Sequence, residues 1–274
     1  MIKIDEKIVV LSIKNCIFVN NPIKKNSDMK KLLAIIVLAF LAVGASAQNL
    51  QFHYDLGRGI YNELDKTADS YGRPTLTTTV EMFRADSFGS TFFFIDLDYS
   101  SGVKGAYWEL ARELCFWQDS KLNWLSAHLE YNGGMSNAAG SYNDSWLAGA
   151  TYSGHSKDFS KTWSISLMYK YIPHTVSAAG ESEEHNFQLT GVWGLNFAKG
   201  WCTFSGFIDF WREHRAWQNT SHILLAEPQF WVNLNNIKGW DNVHLSIGSE
   251  VEVSNNFVAK GFYAIPTLAA KWTF

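Results

Sequence analysis

The sequence is poor in cysteine and, after residue 47, has no apolar run long enough for a membrane-spanning helix, which needs about 20 apolar residues. Only Cys115 and Cys202 follow residue 47, too few for a scaffold held together by disulfides. We expect no bridge between them, because they fall on predicted strands that are not neighbours. These absences exclude helical membrane proteins and disulfide-rich secreted domains.

An excess of basic residues is also lacking. Seven of the 23 Lys and Arg and three of the 26 Asp and Glu precede residue 48, which leaves the rest of the chain with a balance of −7. Binding to a nucleic acid backbone requires a basic face. The charge therefore argues against a nucleic acid polymer as a partner.

The segment MKKLLAIIVLAFLAVGASAQ, which begins at Met29, has the three parts of a secretory signal peptide. Two lysines precede an apolar run from Leu32 to Val43, and Ala45-Ser46-Ala47 forms an A-x-A cleavage site. We expect export with cleavage after Ala47, so the signal peptide covers 29–47. Residues 1–28 are interpreted as the product of a start codon placed too early, and 48–274 as one domain.

Aromatic residues are abundant, with Trp 12, Tyr 11 and Phe 19, and nearly all of them follow residue 48. Together with a signal peptide and the absence of long apolar runs, this is typical of a transmembrane β-barrel, whose strands alternate apolar and polar residues. We predict an all-β fold, a single 12-stranded antiparallel barrel of the outer-membrane type. The predicted strands are 50–57, 75–84, 91–99, 106–117, 122–132, 144–154, 162–172, 186–197, 201–211, 222–234, 243–254 and 262–274.

The connections between these segments support a barrel, because the longest, 58–74, and the shortest, 198–200, fall in opposite sets, as long outer loops and short periplasmic turns do. The two sets overlap, since 100–105 is short for the outer set and 235–242 is not short for the periplasmic set. One segment is ambiguous. AYWELARELCFWQ (106–118) places Leu110, Leu114 and Trp117 at helical spacing. We interpret it as a strand, because twelve strands close a barrel of this class and eleven do not.

The last segment, Phe262–Phe274, shows the alternation clearly. Every second residue from Phe262 to Phe274 is apolar, whereas the intervening set carries hydroxyls and Lys271. Successive side chains of a strand point to opposite faces, so one face suits lipid and the other the barrel interior. We therefore predict outer-membrane lipid as a partner.

The inward-facing set predicted in this way is rich in acids and aromatics. Its candidate lumen and solute-binding residues are Glu81, Phe92, Phe94, Asp96, Asp98, Glu109, Glu130, Asp209, Glu227, Glu250 and Glu252, with Glu113, Trp124, Phe207, Trp211, Trp231 and Tyr263 also inward. Fewer cations accompany them, namely Lys170, Lys271 and His128. Arg112 is out of phase on its strand, which indicates a bulge or a reversed face. Charges facing lipid cost about 2–4 kcal/mol at the midplane, so this pattern implies a wet or hydrogen-bonded interior.

Four segments carry a resemblance to a known family. TLTTTVEMFRADSFGSTFFFIDLDYSSG (75–102), YWELARELCFW (107–117), SGFIDFWREH (205–214) and SHILLAEPQFWVNL (221–234) resemble strands of Tsx-type nucleoside-specific outer-membrane channels. The chain is also similar to uncharacterised Tsx-related outer-membrane proteins of Bacteroides-like bacteria. The resemblance implies a twelve-stranded barrel in a Gram-negative outer membrane, with a narrow pore that passes small neutral solutes such as nucleosides. It also implies that the aromatic end, Trp272 and Phe274, is a signal read by the barrel assembly machinery.

Two other functional classes stay open. An outer-membrane lipid hydrolase would need a serine and a histidine within hydrogen-bond reach, and the candidates are His155-Ser156 and Ser221-His222. A plugged barrel that serves as an anchor would instead use the inward acids to pair with Lys and Arg. We expect no catalytic residues, no cofactor and no metal site, since Glu213 and His214 have no second ligand pair at metal spacing.

Overall fold

The fold is described from a computed structural model. It describes residues 48–61, 73–137, 140–177, 180–215 and 218–274. The predicted signal peptide (29–47) and the segment before it (1–28) lie outside the described residues. Among the residues that are described, no helix combines the length and the apolar character that crossing a membrane requires.

The described chain is almost entirely β-structure. One short helix, α1 (Gly57–Ile60), and two 3-10 turns, Ala198–Gly200 and Leu234–Asn236, interrupt the strands. The strands are β1 (Gln48–Asp55), β2 (Leu76–Asp86), β3 (Gly89–Tyr99), β4 (Val103–Leu114), β5 (Leu125–Ser136), β6 (Gly140–His155), β7 (Lys161–Tyr171), β8 (His185–Phe197), β9 (Cys202–Arg215), β10 (Thr220–Ala226), β11 (Gln229–Asn233), β12 (Leu245–Asn255) and β13 (Phe262–Thr273).

All strand pairs are antiparallel, and the sheet closes on itself. Each strand from β1 to β9 pairs with the next, β13 pairs with both β12 and β1, and β10 and β11 both bridge β9 and β12. β10 and β11 thus fill one position, and the wall has twelve, as the sequence predicts. At the closure the amide of Phe274 donates to the carbonyl of Gln48 at 2.9 Å. We call this end of the barrel the terminal end and the opposite end the distal end.

The break between β10 and β11 falls at Glu227 and Pro228. Pro228 has no amide proton to donate to a ladder, which accounts for the interruption. Opposite it, Gly206 has a φ of 148°. A Cβ at Gly206 would lie 2.3 Å from the carbonyl oxygen of Glu227, so only glycine allows the two backbones to approach this closely.

The strands alternate between a buried polar inner face and an exposed apolar outer face. On β7, Leu167 is 62% exposed, whereas its neighbours Ser166 and Met168 are 4% and 2% exposed. The outer apolar side chains are distributed around the whole wall, and they include Phe52, Leu110, Leu129, Trp146, Ile165, Leu189, Phe210, Ile247 and Leu268. On a soluble monomer, exposed apolar side chains are instead confined to patches of at most about 300–600 Å².

An aromatic group lies on the outer face near the terminal end. Tyr152 packs against Trp124 and against Trp163, with ring centroids 5.0 Å apart in both pairs. The sequence prediction that Trp124 faces the interior is wrong. Trp124 ends the turn before β5 and lies with side chains that alternate outward, a position that membrane interfaces favour for Trp and Tyr.

Two sequence ambiguities are settled. The segment that could be a helix is strand β4, although it ends at Leu114 and 115–124 forms a turn. Arg112 lies on the outer face at the terminal end, where its guanidinium pairs with Asp86 at 2.7 Å. Neither a bulge nor a reversed face is needed, because an ion pair in the turn region satisfies the outward charge.

The predicted separation of long and short connections holds only in part. The distal end carries 56–75 and 172–184, but the terminal end carries 115–124 and 234–244. The connection predicted at 118–121 is longer than expected, since the ends of the flanking strands fold as hydrogen-bonded turns instead of extending the ladder, whereas 235–242 is an exception to the short set that the sequence already predicts. Cys115 and Cys202 are both free thiols, as expected.

Candidate functional site

The candidate site is the lumen-facing wall of the barrel. Strand register and side-chain contacts place all eleven predicted lumen residues on the inner face: Glu81, Phe92, Phe94, Asp96, Asp98, Glu109, Glu130, Asp209, Glu227, Glu250 and Glu252. Trp272 and Phe274 lie on the outer face at the terminal end. Whether the inner residues bind a solute stays a prediction.

One row of cross-strand partners begins near the terminal end of β1 and reaches mid-height on β2, β3, β4 and β5. It pairs Asn49 with Glu81, Glu81 with Phe94, Phe94 with Glu109, and Glu109 with Asn132. The amide of Asn49 donates to Oε1 of Glu81 at 3.1 Å. Directly opposite residues have Cβ atoms about 5 Å apart, so two carboxylates, a phenyl ring and two carboxamides form a continuous strip.

The adjacent row on the distal side adds Asp96 and the phenol of Tyr107. Thr79 donates to Oδ1 of Asp96 at 2.5 Å, and Tyr107 donates to Oε1 of Glu109 at 2.6 Å. Phe94 packs at 5.9 Å from both Phe92 and Tyr107. The strip therefore combines hydrogen-bonded carboxylates with the faces of three aromatic rings.

The opposite wall brings further carboxylates toward this strip. Glu227, at the break between β10 and β11, lies within electrostatic range of Asp96 and Glu109 on β3 and β4. Glu250 on β12 accepts from the side-chain amide of Gln229 at 2.6 Å. Carboxylates of opposite walls therefore lie within electrostatic range of one another.

A hydrogen-bonded polar cluster fills the lumen wall of β4, β5 and β6 toward the terminal end. The ring of His128 lies between two carboxylates, with Nδ1 at 2.6 Å from Glu113 and Nε2 at 3.0 Å from Glu130. Glu113 also accepts from the hydroxyls of Ser126 and Thr151. Both carboxylate oxygens of Glu113 therefore have hydrogen-bond partners. In contrast, Oε1 of Glu130 is buried without a partner in the described chain.

The few inward cations are held against the wall. Nζ of Lys170 donates to Gln188 at 2.7 Å and lies 4.6 Å from the ring centroid of Trp211. Nζ of Lys271 lies 4.3 Å from the centroid of Trp231. Aromatic faces attract cations, so these rings fix the positions of both ammonium groups, with Lys170 in electrostatic range of Glu109 and Lys271 in electrostatic range of Glu81.

The distal mouth is crossed by Arg73, which belongs to the connection between β1 and β2. Its guanidinium contacts Asp55 at 2.8 Å and Glu252 at 2.6 Å. Burial alone would lower the pKa of Arg73, but Glu252 and Asp55 outweigh this effect, and its pKa lies above the ordinary value. The connection is thus tied to the walls β1 and β12 by charge.

Two aromatic side chains from distal connections also enter the mouth. Tyr61 packs on Tyr263 with ring centroids 5.2 Å apart, and Phe257 packs on Trp211 at 6.0 Å. Arg215 holds the second connection by donating to the carbonyls of Asn256 and Phe257. These contacts narrow the distal end of the lumen.

The Ser/His pairs do not form a nucleophile and base. Nδ1 of His155 contacts the carbonyl of Ser156 at 2.8 Å, while the Ser156 hydroxyl donates to Asp158 at 2.5 Å. Hydrogen bonds from Ser156 and Ser160 lower the pKa of Asp158 to about 2. Ser221 and His222 lie beside an open cleft of about 450 Å³ at the distal end, with no hydrogen bond between hydroxyl and ring in the described chain.

No cluster of His, Cys, Asp or Glu within the described ranges is arranged to hold a metal ion.

Sequence reasoning missed several lumen residues. Asn132 and Gln51 are neutral, so a search for inward charges does not select them. The alternation along β5 and β1 nevertheless predicts that both side chains face inward. His53 contacts Thr267 and Gln51 inside the lumen. Arg73 gave no signal, because it lies in a connection, where periodicity does not indicate direction.

Residues 47–274 match the sequence model of the family described as "Domain of unknown function (DUF5020)". The chain belongs to this family. No curated protein matches it. The family description carries no function, so any functional statement depends on the fold and on the lumen.

Among solved structures, the chain is similar to the NanC porin, with a TM-score of 0.52 at 8% identity, over 83% of this chain and 99% of that one. LpxR from Salmonella typhimurium gives 0.44 at 9% identity, over 84% and 100%. A BenF-like porin from Pseudomonas fluorescens Pf-5 gives 0.40 at 11% identity, over 73% and 56%. At such identities the likeness to the NanC porin is one of fold: a closed twelve-stranded outer-membrane barrel.

Proposed function

We propose that this DUF5020 protein is an outer-membrane channel for the passive diffusion of small solutes. The observation that carries the proposal is the wall itself: an apolar outer band encloses an interior lined by carboxylates, carboxamides and hydroxyls. An interior built only for stability would favour apolar packing, because each buried carboxylate costs free energy unless it is paired.

Nucleosides are the solutes we propose first. The mid-height strip offers carboxylate acceptors at Glu81, Asp96 and Glu109 beside the rings of Phe94 and Tyr107. Ribose hydroxyls and base amino groups donate hydrogen bonds, and a base has a flat face that packs on aromatic rings. The resemblance of the sequence to Tsx-type channels supports the same solute class.

We further propose export by the signal peptide at 29–47, insertion by the barrel assembly machinery and location in a Gram-negative outer membrane. The outward apolar band and the barrel fold shared with the NanC porin support this location. Outer-membrane lipid would then contact side chains such as Leu167 and Leu268.

Single-channel recording in planar bilayers tests the proposal. We expect small conductance steps that adenosine or cytidine reduces in a concentration-dependent way, while ribose at the same osmolality has less effect. Asp96→Asn should weaken the block, and Glu184→Gln, the same change of charge in a distal connection, should leave it unchanged. Conductance steps that nucleosides do not alter would contradict the proposed nucleoside specificity and still support a channel.

A plugged barrel that acts as an anchor is the second candidate. The ring contacts of Tyr61 and Phe257 and the ion pairs of Arg73 at the distal mouth favour it. Folded, inserted protein that gives no conductance would support the plugged barrel and overturn the channel.

A further inference from the structure

Two buried side chains on β5 point acceptor oxygens into the lumen without a hydrogen-bond partner. Oε1 of Glu130 and Oδ1 of Asn132 are both unpaired, and the side chain of Glu130 is 9% exposed and Asn132 2% exposed. An unsatisfied buried acceptor costs about 1–3 kcal/mol. Two such atoms, two residues apart on one face, indicate a place where a donor from outside the chain completes the bonding.

Two further carboxylates converge on the same place. Glu109 is the cross-strand partner of Asn132 and a diagonal neighbour of Glu130. Asp209, on β9, lies within electrostatic range of both Glu109 and Glu130 across the lumen. We call Glu109, Glu130, Asn132 and Asp209 the mid-lumen acceptor site.

Each carboxylate of this site has one oxygen held and one oxygen free in the described chain. Tyr107 holds Glu109, His128 holds Glu130, and Thr190 donates to Oδ1 of Asp209 at 2.5 Å. These bonds fix the carboxylates in orientation. The remaining oxygens are therefore pre-positioned acceptors.

The charge at the site is not balanced by the chain. Lys170 is in electrostatic range, but its ammonium is bonded to Gln188 and packed on Trp211. Three carboxylates against one lysine and one histidine shared with Glu113 leave a negative surplus. A cation is the ligand that this surplus favours.

A protonated amine fits better than a metal ion. In the described part of the chain no acid cluster is close enough to coordinate a metal ion directly. An ammonium group has three donors and makes hydrogen bonds of about 2.7–2.9 Å, so it reaches acceptors that are too far apart for metal bonds. We infer that the mid-lumen acceptor site binds the protonated amino group of a small solute.

The inference does not require that solutes cross the barrel, so it can be tested apart from the proposed function. Full-length protein folded in detergent is titrated with ethanolamine at neutral pH, and binding is followed by saturation-transfer NMR of the ligand. Ethylene glycol, which has a similar size and no charge, is the matched neutral probe. We expect saturable binding of ethanolamine that exceeds binding of ethylene glycol at least about tenfold, the ratio that one charge-assisted bond supplies.

Variants assign the binding to the site. Glu130→Gln and Asp209→Asn should each weaken ethanolamine binding about tenfold, and Glu184→Gln should not change it. If Glu130→Gln does not fold because it disturbs His128, Asp209→Asn alone still tests whether ethanolamine binds at the site, since Asp209 is bonded by Thr190 and not by His128. Equal binding of both probes, or unchanged binding in the folded lumen variants, would overturn the inference. Ethanolamine binding by a protein that gives no conductance would support the mid-lumen acceptor site and contradict the proposed channel function.

Discussion

Nη1 of Arg73 lies 2.6 Å from Oε2 of Glu252, although 179 residues separate them in sequence. The same guanidinium contacts Asp55, so one side chain joins the first connection to walls β1 and β12 at the distal mouth. These three groups are largely buried. One cation therefore ties the connection between β1 and β2 to two walls at once, beside the packing of Tyr61 on Tyr263.

We predict that Arg73→Gln will release this connection. Removing one partner of a buried ion pair costs about 3–5 kcal/mol, because the remaining charges lose their compensation. The melting temperature in detergent should fall, and the conductance in bilayers should rise. Arg212→Gln is the matched control, since the Arg212–Glu183 pair at the same end is more exposed and worth about 0–1 kcal/mol. Equal effects of both variants would contradict the role given to Arg73.

The sequence predicts the barrel well because alternation with a period of two is a local property. Strand β7, predicted at 162–172, is observed at Lys161–Tyr171, and Phe262–Phe274 alternates as expected. Strand existence and face follow from the polarity of neighbouring residues, and an even strand number follows from closure. The residues at which strands begin and end are predicted less well, as at Leu114, because a strand and a turn differ there by only a few hydrogen bonds.

The sequence indicates the charged and aromatic members of the candidate site more readily than the neutral polar ones. Glu109 and Asp209 stand out as acids on inward faces, whereas alternation gives only the face of Asn132 and the structure is needed to show that its Oδ1 has no partner. The approach of Glu227 to Asp96 across the lumen depends on the barrel radius and on the break at Pro228. The alternation of residues along a strand predicts neither the barrel radius nor this break. The position of Arg73 depends on the path of a connection, which alternation does not predict either.

The buried ring of His128 should stabilise the barrel by serving two acids. We predict that His128→Leu will lower the free energy of unfolding by about 3–5 kcal/mol, because Glu113 and Glu130 then face each other without their shared donor. Urea unfolding from detergent micelles measures this loss. His155→Leu, at the terminal-end limit of β6, is the control and should change it little.

The double variant His128→Leu with Glu130→Leu checks the mechanism. Replacing a buried charged pair with apolar residues is often neutral, so the double variant should be more stable than His128→Leu alone. A strictly additive loss would mean that the two side chains do not interact, and would contradict the cluster.

Gly206 is predicted to tolerate no side chain. Alanine there would place Cβ 2.3 Å from the carbonyl oxygen of Glu227 at a φ of 148°, a backbone conformation that only glycine adopts readily. Strain of this kind costs about 1–3 kcal/mol before any clash is relieved. Gly206→Ala should reduce the yield of heat-resistant folded barrel. Gly102→Ala, where an added Cβ meets nothing within 4 Å, should fold normally.

Ion selectivity follows from the surplus of carboxylates in the lumen. If the barrel conducts, a potassium chloride gradient across the bilayer should give a reversal potential of the sign that cation preference produces, because the acids raise the local cation concentration. Glu109→Gln combined with Asp209→Asn should shift that potential toward zero, whereas Glu184→Gln should leave it in place. High salt should reduce the preference only partly, since buried charges are screened less than exposed ones. An anion-selective barrel would contradict the arrangement, because Lys170 and Lys271 would then dominate the field from their positions on Trp211 and Trp231.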